Sequence, residues 1–243
     1  MSNQLKDNRL FHLKQFSLSH HGSTMQVGTD AMLLGLFIDA SKCSKALEIG
    51  TGCGIISLLV ASKYATAIDT IDIDSESITE TTSNFKRSPF YHRLRALEAD
   101  FQGYSQSHHG KYDLMFSNPP FFVNDFRPEN LVKKIARHTD SLSYQDICKG
   151  AVKLLDPSGK FCLVLPFDKS RLFLEVATKF GLNLQKQQLV IPKRGLEANR
   201  INMQFGFDQS ALIVSSTFFI REDDGSFTDQ YISYLKDYYI GLK

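Results

Sequence analysis

The stretch Glu48-Ile49-Gly50-Thr51-Gly52-Cys53-Gly54 places a glycine at every second position between two apolar runs. Glycine has no Cβ, so such a segment can turn tightly and lie directly against a ligand. Spacing decides which ligand. A dinucleotide site requires G-x-G-x-x-G/A, but counting from Gly50 the last position is Ile55, and from Gly52 it is Ser57. Neither frame fits. Asp72 stands 18 residues beyond Gly54, where a carboxylate at a strand end can accept both hydroxyls of an adenosine ribose. Asp74, two residues on, is read as a helix cap. Asp100-Phe101 offers a second acid for an adenine amine and a ring that can lie on the base.

Asn118-Pro119-Pro120-Phe121 is the most specific motif. Two successive prolines remove two backbone donors and stiffen the turn. The Asn118 side-chain oxygen and the Pro119 carbonyl then remain as fixed acceptors, a pair suited to an –NH2 group. Phe121 supplies a face on which a planar base or amide can stack.

These residues need rigid strand ends, and the sequence alternates β-like and helical segments as a parallel sheet flanked by helices does. Patterning predicts seven strands, over residues 45–49, 67–73, 94–100, 112–117, 160–166, 184–191 and 211–220. Helices are expected over 29–40, 55–65, 74–88, 143–155, 168–180 and 229–239, with Gly181 closing the fifth. The last two strands have no helical crossover between them, which suggests an antiparallel hairpin at the sheet edge and a long loop over 192–207. The expected fold is α/β, a mostly parallel sheet in a single domain spanning 1–243, with 1–28 as an N-terminal appendage and 29–243 as the core.

The 243 residues carry 28 Lys+Arg against 26 Asp+Glu, a formal charge of +2. Nucleic acid is therefore not held by bulk charge, and any such contact comes from local patches. The longest apolar run, residues 31–38, is far short of the ~20 needed for a membrane span, and the polar N-terminus lacks a signal-peptide core. A soluble, cytoplasmic protein with no membrane partner is expected. Cys43, Cys53, Cys148 and Cys162 form no C-x-x-C pair and do not cluster with histidines, so no metal site is expected.

EIGTGCG, Asp72, Asp100 and NPPF, in this order, resemble the class I methyltransferases that act on planar nitrogens, over about residues 24–190. MQVGTDAMLLG (25–35), SNPPFF and ARHTDSLS (136–143) further resemble the tRNA1(Val) adenine-N6 methyltransferase family, which modifies the adenine beside the anticodon of a valine tRNA. That family usually carries Tyr where this chain has Phe121; the ribosomal RNA guanine-N2 enzymes more often have Phe. The resemblance implies a Rossmann-like fold and S-adenosylmethionine as cofactor, held by Glu48, Gly50, Gly52, Gly54, Asp72, Asp100 and Phe101. It also implies contact of Thr29 with the methionine end, although Thr29 and Asp30 read equally well as a helix cap.

The implied reaction is methyl transfer to the exocyclic N6 of an adenine in tRNA, with Asn118, Pro119 and Phe121 as the catalytic group. Phe122, Arg137 and His138 are placed near the substrate, and Lys133, Lys134, Lys193 and Arg194 would flank the mouth as two basic segments, with Arg200 close to the second. A glutamine-N5 protein methyltransferase, a DNA adenine-N6 enzyme or a ribosomal guanine-N2 enzyme would use a similar acceptor pair, and a cofactor-binding module without catalysis would share the glycine loop. Oligomeric state is open.

Overall fold

The computed structural model describes residues 10–23, 27–119 and 142–242. A two-stranded hairpin, β1 (Phe11–His12) and β2 (Ser17–Leu18), precedes α1 (Thr29–Phe37). The chain then alternates through β3 (Lys45–Ile49), α2 (Ile55–Lys63), β4 (Ala67–Asp72), α3 (Ser75–Arg87), β5 (Leu94–Glu98), α4 (Phe101–Ser107) and β6 (Tyr112–Ser117). After the segment 120–141 come α5 (Tyr144–Leu154), β7 (Leu155–Pro166), α6 (Phe167–Lys179), β8 (Asn183–Ile191), β9 (Arg200–Gly206), β10 (Val214–Phe219) and α7 (Asp229–Leu235).

The main sheet has eight strands in the order β10-β8-β9-β7-β6-β3-β4-β5. This is the expected doubly wound, mostly parallel sheet, with one correction to its edge. Residues 200–206, expected in a loop, form β9, which runs antiparallel to both β7 and β8. The two late strands expected to pair as an antiparallel edge hairpin, β8 and β10, instead lie parallel. The physical reason lies in β9 itself. Ile201, Met203 and Phe205 alternate with Arg200, Asn202 and Gln204, and both faces are covered: Asn202 is fully buried and Gln204 nearly so. Asn202 Nδ2 donates to Gln188 Oε1 of β8 at 3.0 Å, which offsets part of the cost of burying the amide.

Alternation within the central strands builds two cores. Ala46, Leu114, Phe116, Cys162 and Val164 face α1, α2 and α7, whereas Leu47, Met115, Phe161, Leu163 and Leu165 face α4, α5 and α6. On the second face the Phe173 ring of α6 lies 5.5 Å from Phe205 and 5.0 Å from Tyr144. Each such buried side chain stabilises by roughly 1.5–3 kcal/mol. Helix α1 is apolar all round because it is buried from Ala31 to Phe37, packed between α2 and strands β7 and β9.

The described part of the N-terminal segment is integrated rather than appended. Leu13, Phe16 and Leu18 are buried in the first core, and the Lys14 amide donates to the Tyr238 carbonyl. Among the described residues no helix is long and apolar enough to cross a membrane, and no three His, Cys, Asp or Glu side chains gather as a metal site would require.

Candidate active site

Strand register brings the key residues to one level. Ile49 of β3 pairs with Ile71 of β4 on one side and Ser117 of β6 on the other. The next residues along the chain are Gly50, just past β3, Asp72, the last of β4, and Asn118, just past β6. Adjacent strands lie about 4.8 Å apart, so the glycine loop leaves the sheet flanked by the acid and the amide. From β3 the chain winds outward through β4 to β5 and then returns to β6 on the opposite side. The β3/β6 crevice is thus a topological switch point, where open α/β sheets bind ligands.

The loop conformation explains its composition. Gly50, Gly52 and Gly54 have φ values of 71°, 54° and 82°, in the left-handed region that disfavours any side chain. A Cβ on Gly50 would meet nothing within 4 Å, so this backbone faces open space. A Cβ on Gly54 would lie 2.8 Å from Phe85 Cε1 and 3.0 Å from Thr81 Cγ2, so here glycine permits α2 and α3 to approach.

Side chains from three elements pin the loop. Asp72 Oδ2 accepts from the Gly52 amide at 2.9 Å and Oδ1 from the Asp74 amide at 3.0 Å. Carboxylate oxygens carry two lone pairs each, so the half-buried Asp72 retains acceptor capacity toward hydroxyls. Thr81 Oγ1 of α3 donates to the Gly52 carbonyl at 2.6 Å, and Asn84 Nδ2 to the Cys53 carbonyl at 2.9 Å. Glu48 is completely buried and accepts from Thr51 Oγ1 and Ser57 Oγ. Burial raises its carboxyl to about 8, against the opposing pull of the Ser57 and Thr51 hydrogen bonds. Expected among the cofactor contacts, Glu48 lies beneath the loop and fixes its shape from within.

The second acid also does more locally than expected. Asp100 caps α4, accepting from the Gly103 amide at 2.6 Å. The Phe101 ring is buried in the second core and packs so closely on Gly150 of α5 that a Cβ there would lie 2.4 Å from Phe101 Cε1. It is a core residue rather than an open stacking face. Asp74 caps α3 as expected, accepting from the Ser77 amide at 2.9 Å.

Asn118 is buried, with 7% of its surface exposed, and its Oδ1 has no hydrogen-bond partner among the described residues. An unpaired buried acceptor costs about 1–3 kcal/mol. Ser117, just before it, donates Oγ to the Ile49 carbonyl at 2.8 Å and locks the end of β6 to β3. Pro119 is buried beside it. Phe121, Phe122, Lys133, Lys134, Arg137 and His138 lie outside the described residues.

Three expectations at the rim are revised. The N-cap of α1 is Gly28, without a side-chain cap, so neither Thr29 nor Asp30 caps the helix. Thr29 is exposed at the start of α1, and Asp30 Oδ2 accepts from Arg200 Nε of β9 at 2.8 Å. Arg194, expected to be available for phosphate, pairs with Glu222 and lies over the Phe219 ring at 4.5 Å. Lys193 precedes it in the same turn, and Asp223 and Asp224 follow Glu222, so this segment is not a free basic patch. The inward polar row Ser77, Thr81 and Asn84 on α3 carries its own sequence signal, small polar residues at helical spacing beside Phe85.

Residues 20–181 match the model of the methyltransferase small domain family. The chain is 31% identical to a tRNA1(Val) (adenine(37)-N6)-methyltransferase of Parabacteroides distasonis, over 97% of this chain and 99% of that one. It is 35% identical to the proteins of the same description in Trichodesmium erythraeum, covering 95% and 97%, and Pseudoalteromonas atlantica, covering 96% and 98%. Among solved structures, a predicted O-methyltransferase from Agrobacterium tumefaciens superposes with a TM-score of 0.68 at 16% identity, over 86% of this chain and 96% of that one. TrmN from Thermus thermophilus gives 0.55 at 21%, over 72% and 47%. These likenesses establish the class I methyltransferase fold. With relatives matched along nearly their whole length, the chain belongs to the tRNA1(Val) (adenine(37)-N6)-methyltransferase family.

Proposed function

We propose that this protein methylates the exocyclic N6 of an adenine in tRNA, the base beside the anticodon of a valine tRNA, using S-adenosylmethionine. The observation that carries this reading is the buried, unpaired Asn118 oxygen, level with Gly50 and Asp72 on neighbouring strands. The residues fit the cofactor. Gly50 faces open space, Asp72 has acceptor capacity for ribose hydroxyls, and Asp100 stands at the end of the next strand for the adenine edge. When bound, S-adenosylmethionine supplies an electrophilic methyl group whose bonding pair stays on sulfur as the methyl leaves.

The protein's part is orientation and electrostatics. Asn118 Oδ1 and the Pro119 carbonyl accept the two N6 hydrogens and turn the nitrogen toward the glycine loop. Accepting from both hydrogens concentrates electron density on nitrogen, an interaction that strengthens as positive charge develops there. Ser117 holds this pair against β3, so little reorganisation is needed. A strong base is not required, because the attached proton becomes acidic as the new N–CH3 bond forms and is lost to solvent water. The target adenine must leave its stack to reach a site at a strand end.

The test is nucleoside mass analysis of tRNA from a strain lacking the gene. Loss of N6-methyladenosine from the valine tRNA, restored by the wild-type gene and not by Asn118→Ala, is expected. Unchanged tRNA with loss of a ribosomal N2-methylguanosine or a peptide N5-methylglutamine would overturn the substrate.

A further inference from the structure

Helix α3 stands between the glycine loop and the N-terminal segment, and one of its side chains touches both. Asn84 is fully buried. Its Nδ2 donates to the Cys53 carbonyl at 2.9 Å and to the Ser19 carbonyl at 2.8 Å, while Oδ1 accepts from the Ser19 amide at 2.8 Å. Both amide hydrogens are thus used, one on each side. One turn earlier, Glu80 Oε1 accepts from Ser19 Oγ at 2.6 Å, the His21 amide at 3.0 Å and the Gly22 amide at 3.1 Å; Oε2 accepts from the Ser23 amide at 2.9 Å. Burial pushes the Glu80 carboxyl up, but the hydrogen bonds from Ser19, Gly22 and Ser23 outweigh it and hold it below its ordinary value. The carboxylate is therefore charged when it grips the segment.

We propose that Asn84 is a positioning residue for S-adenosylmethionine, coupling the docking of residues 19–23 to the shape of the glycine loop, so that cofactor and docked segment stabilise each other. This rests on the glycine loop holding the cofactor, as proposed above. The loop carbonyls of Gly52 and Cys53 are both fixed from α3, and only the Cys53 anchor is shared with another segment. Displacing Ser19 removes two of the bonds that orient the Asn84 amide, and the loop loses a fixed donor. Linkage makes the effect reciprocal: whatever docking does for cofactor affinity, the cofactor does for docking.

Asn84→Asp is close in shape but sets a carboxylate oxygen against the Cys53 and Ser19 carbonyls. By calorimetry its dissociation constant for S-adenosylmethionine should rise about 10-fold, the size expected from losing one to two hydrogen bonds. The KM for cofactor should rise with it, while turnover at saturating cofactor and the KM for tRNA change less than about 2-fold, a split that general loosening of the fold would not give. Hydrogen exchange supplies a readout independent of activity. In the wild type, S-adenosylmethionine should slow exchange at the amides of His21, Gly22 and Ser23; in Asn84→Asp at saturating cofactor this protection should be absent.

Glu80→Gln leaves the loop anchors untouched and serves should Asn84→Asp fail to fold. It keeps one acceptor oxygen for the His21 and Gly22 amides but sets an NH2 against the Ser23 amide, so it should free that amide and weaken cofactor binding by about 3-fold. Wild-type protein that binds cofactor with no change in exchange at 21–23 would overturn the coupling and leave the active-site reading intact. Wild-type protein that does not bind S-adenosylmethionine would overturn both.

Discussion

Removing the Asp72 side chain separates two jobs that the structure gives one carboxylate. It anchors the glycine loop through the Gly52 amide and the start of α3 through the Asp74 amide, and each oxygen keeps a lone pair for a further donor. A hydrogen bond to a charged group contributes about 1.5–3 kcal/mol. Asp72→Ala should therefore weaken S-adenosylmethionine binding by that amount, about 10- to 150-fold in dissociation constant. Loss of the two amide anchors should lower folding stability by a further ~1–3 kcal/mol. Asp72→Asn keeps the size and one acceptor oxygen but sets an NH2 against one of the two amide donors. It should fall between wild type and Asp72→Ala in both measurements. The assay is isothermal calorimetry with S-adenosylmethionine on all three proteins, paired with urea unfolding without cofactor. Unchanged affinity in a folded Asp72→Ala protein would remove this acid from the cofactor site and refute the register argument that placed it there.

Asn118→Ala should cut turnover by on the order of 100-fold or more while cofactor affinity stays near wild type, because its proposed partner is the substrate amine; normal turnover would sink the acceptor-pair mechanism. Gly54→Ala should destabilise the fold by roughly 2–4 kcal/mol, combining left-handed backbone strain with contact against Phe85 and Thr81, and an unchanged unfolding midpoint would contradict it. For Glu48, the folded carboxyl titrates near 8 and the unfolded one near 4.5. Between those values the folded state holds the extra proton, so this group makes stability fall as pH rises and contributes no slope outside that window. Glu48→Gln should therefore gain thermal stability relative to wild type between pH 5 and pH 8, and parallel pH profiles would show that the burial is misread.

The parts of the molecule legible in its sequence are those where local pattern and tertiary role coincide. Lys45–Ile49 and Tyr112–Ser117 are short, mostly apolar segments followed by turn-forming residues, and both form central strands with those limits. The Asp74 cap is local chemistry and needs nothing from the rest of the fold. Strand β9 escapes the pattern because Asn202 and Gln204 are polar yet buried, with Asn202 Nδ2 bonded to Gln188 on another strand. Phe101 looked like a ligand face because it follows a strand-end acid; the small Gly150, 49 positions later, admits it to the core. Arg194 looked free because its partner Glu222 lies 28 residues away. In each case what escaped the sequence was a pairing set by topology rather than by neighbours along the chain.

The most direct test of the central claim is methylation in vitro. Purified protein, S-adenosylmethionine and unmodified valine tRNA transcript would be incubated, then digested and read by mass spectrometry at nucleotide resolution. The account predicts a single N6-methyladenosine at the adenine beside the anticodon, absent when Asn118→Ala replaces the wild type and absent when free adenosine replaces the tRNA. No methyl transfer to that adenine by folded, cofactor-binding protein, or equal methylation of free adenosine, would contradict it.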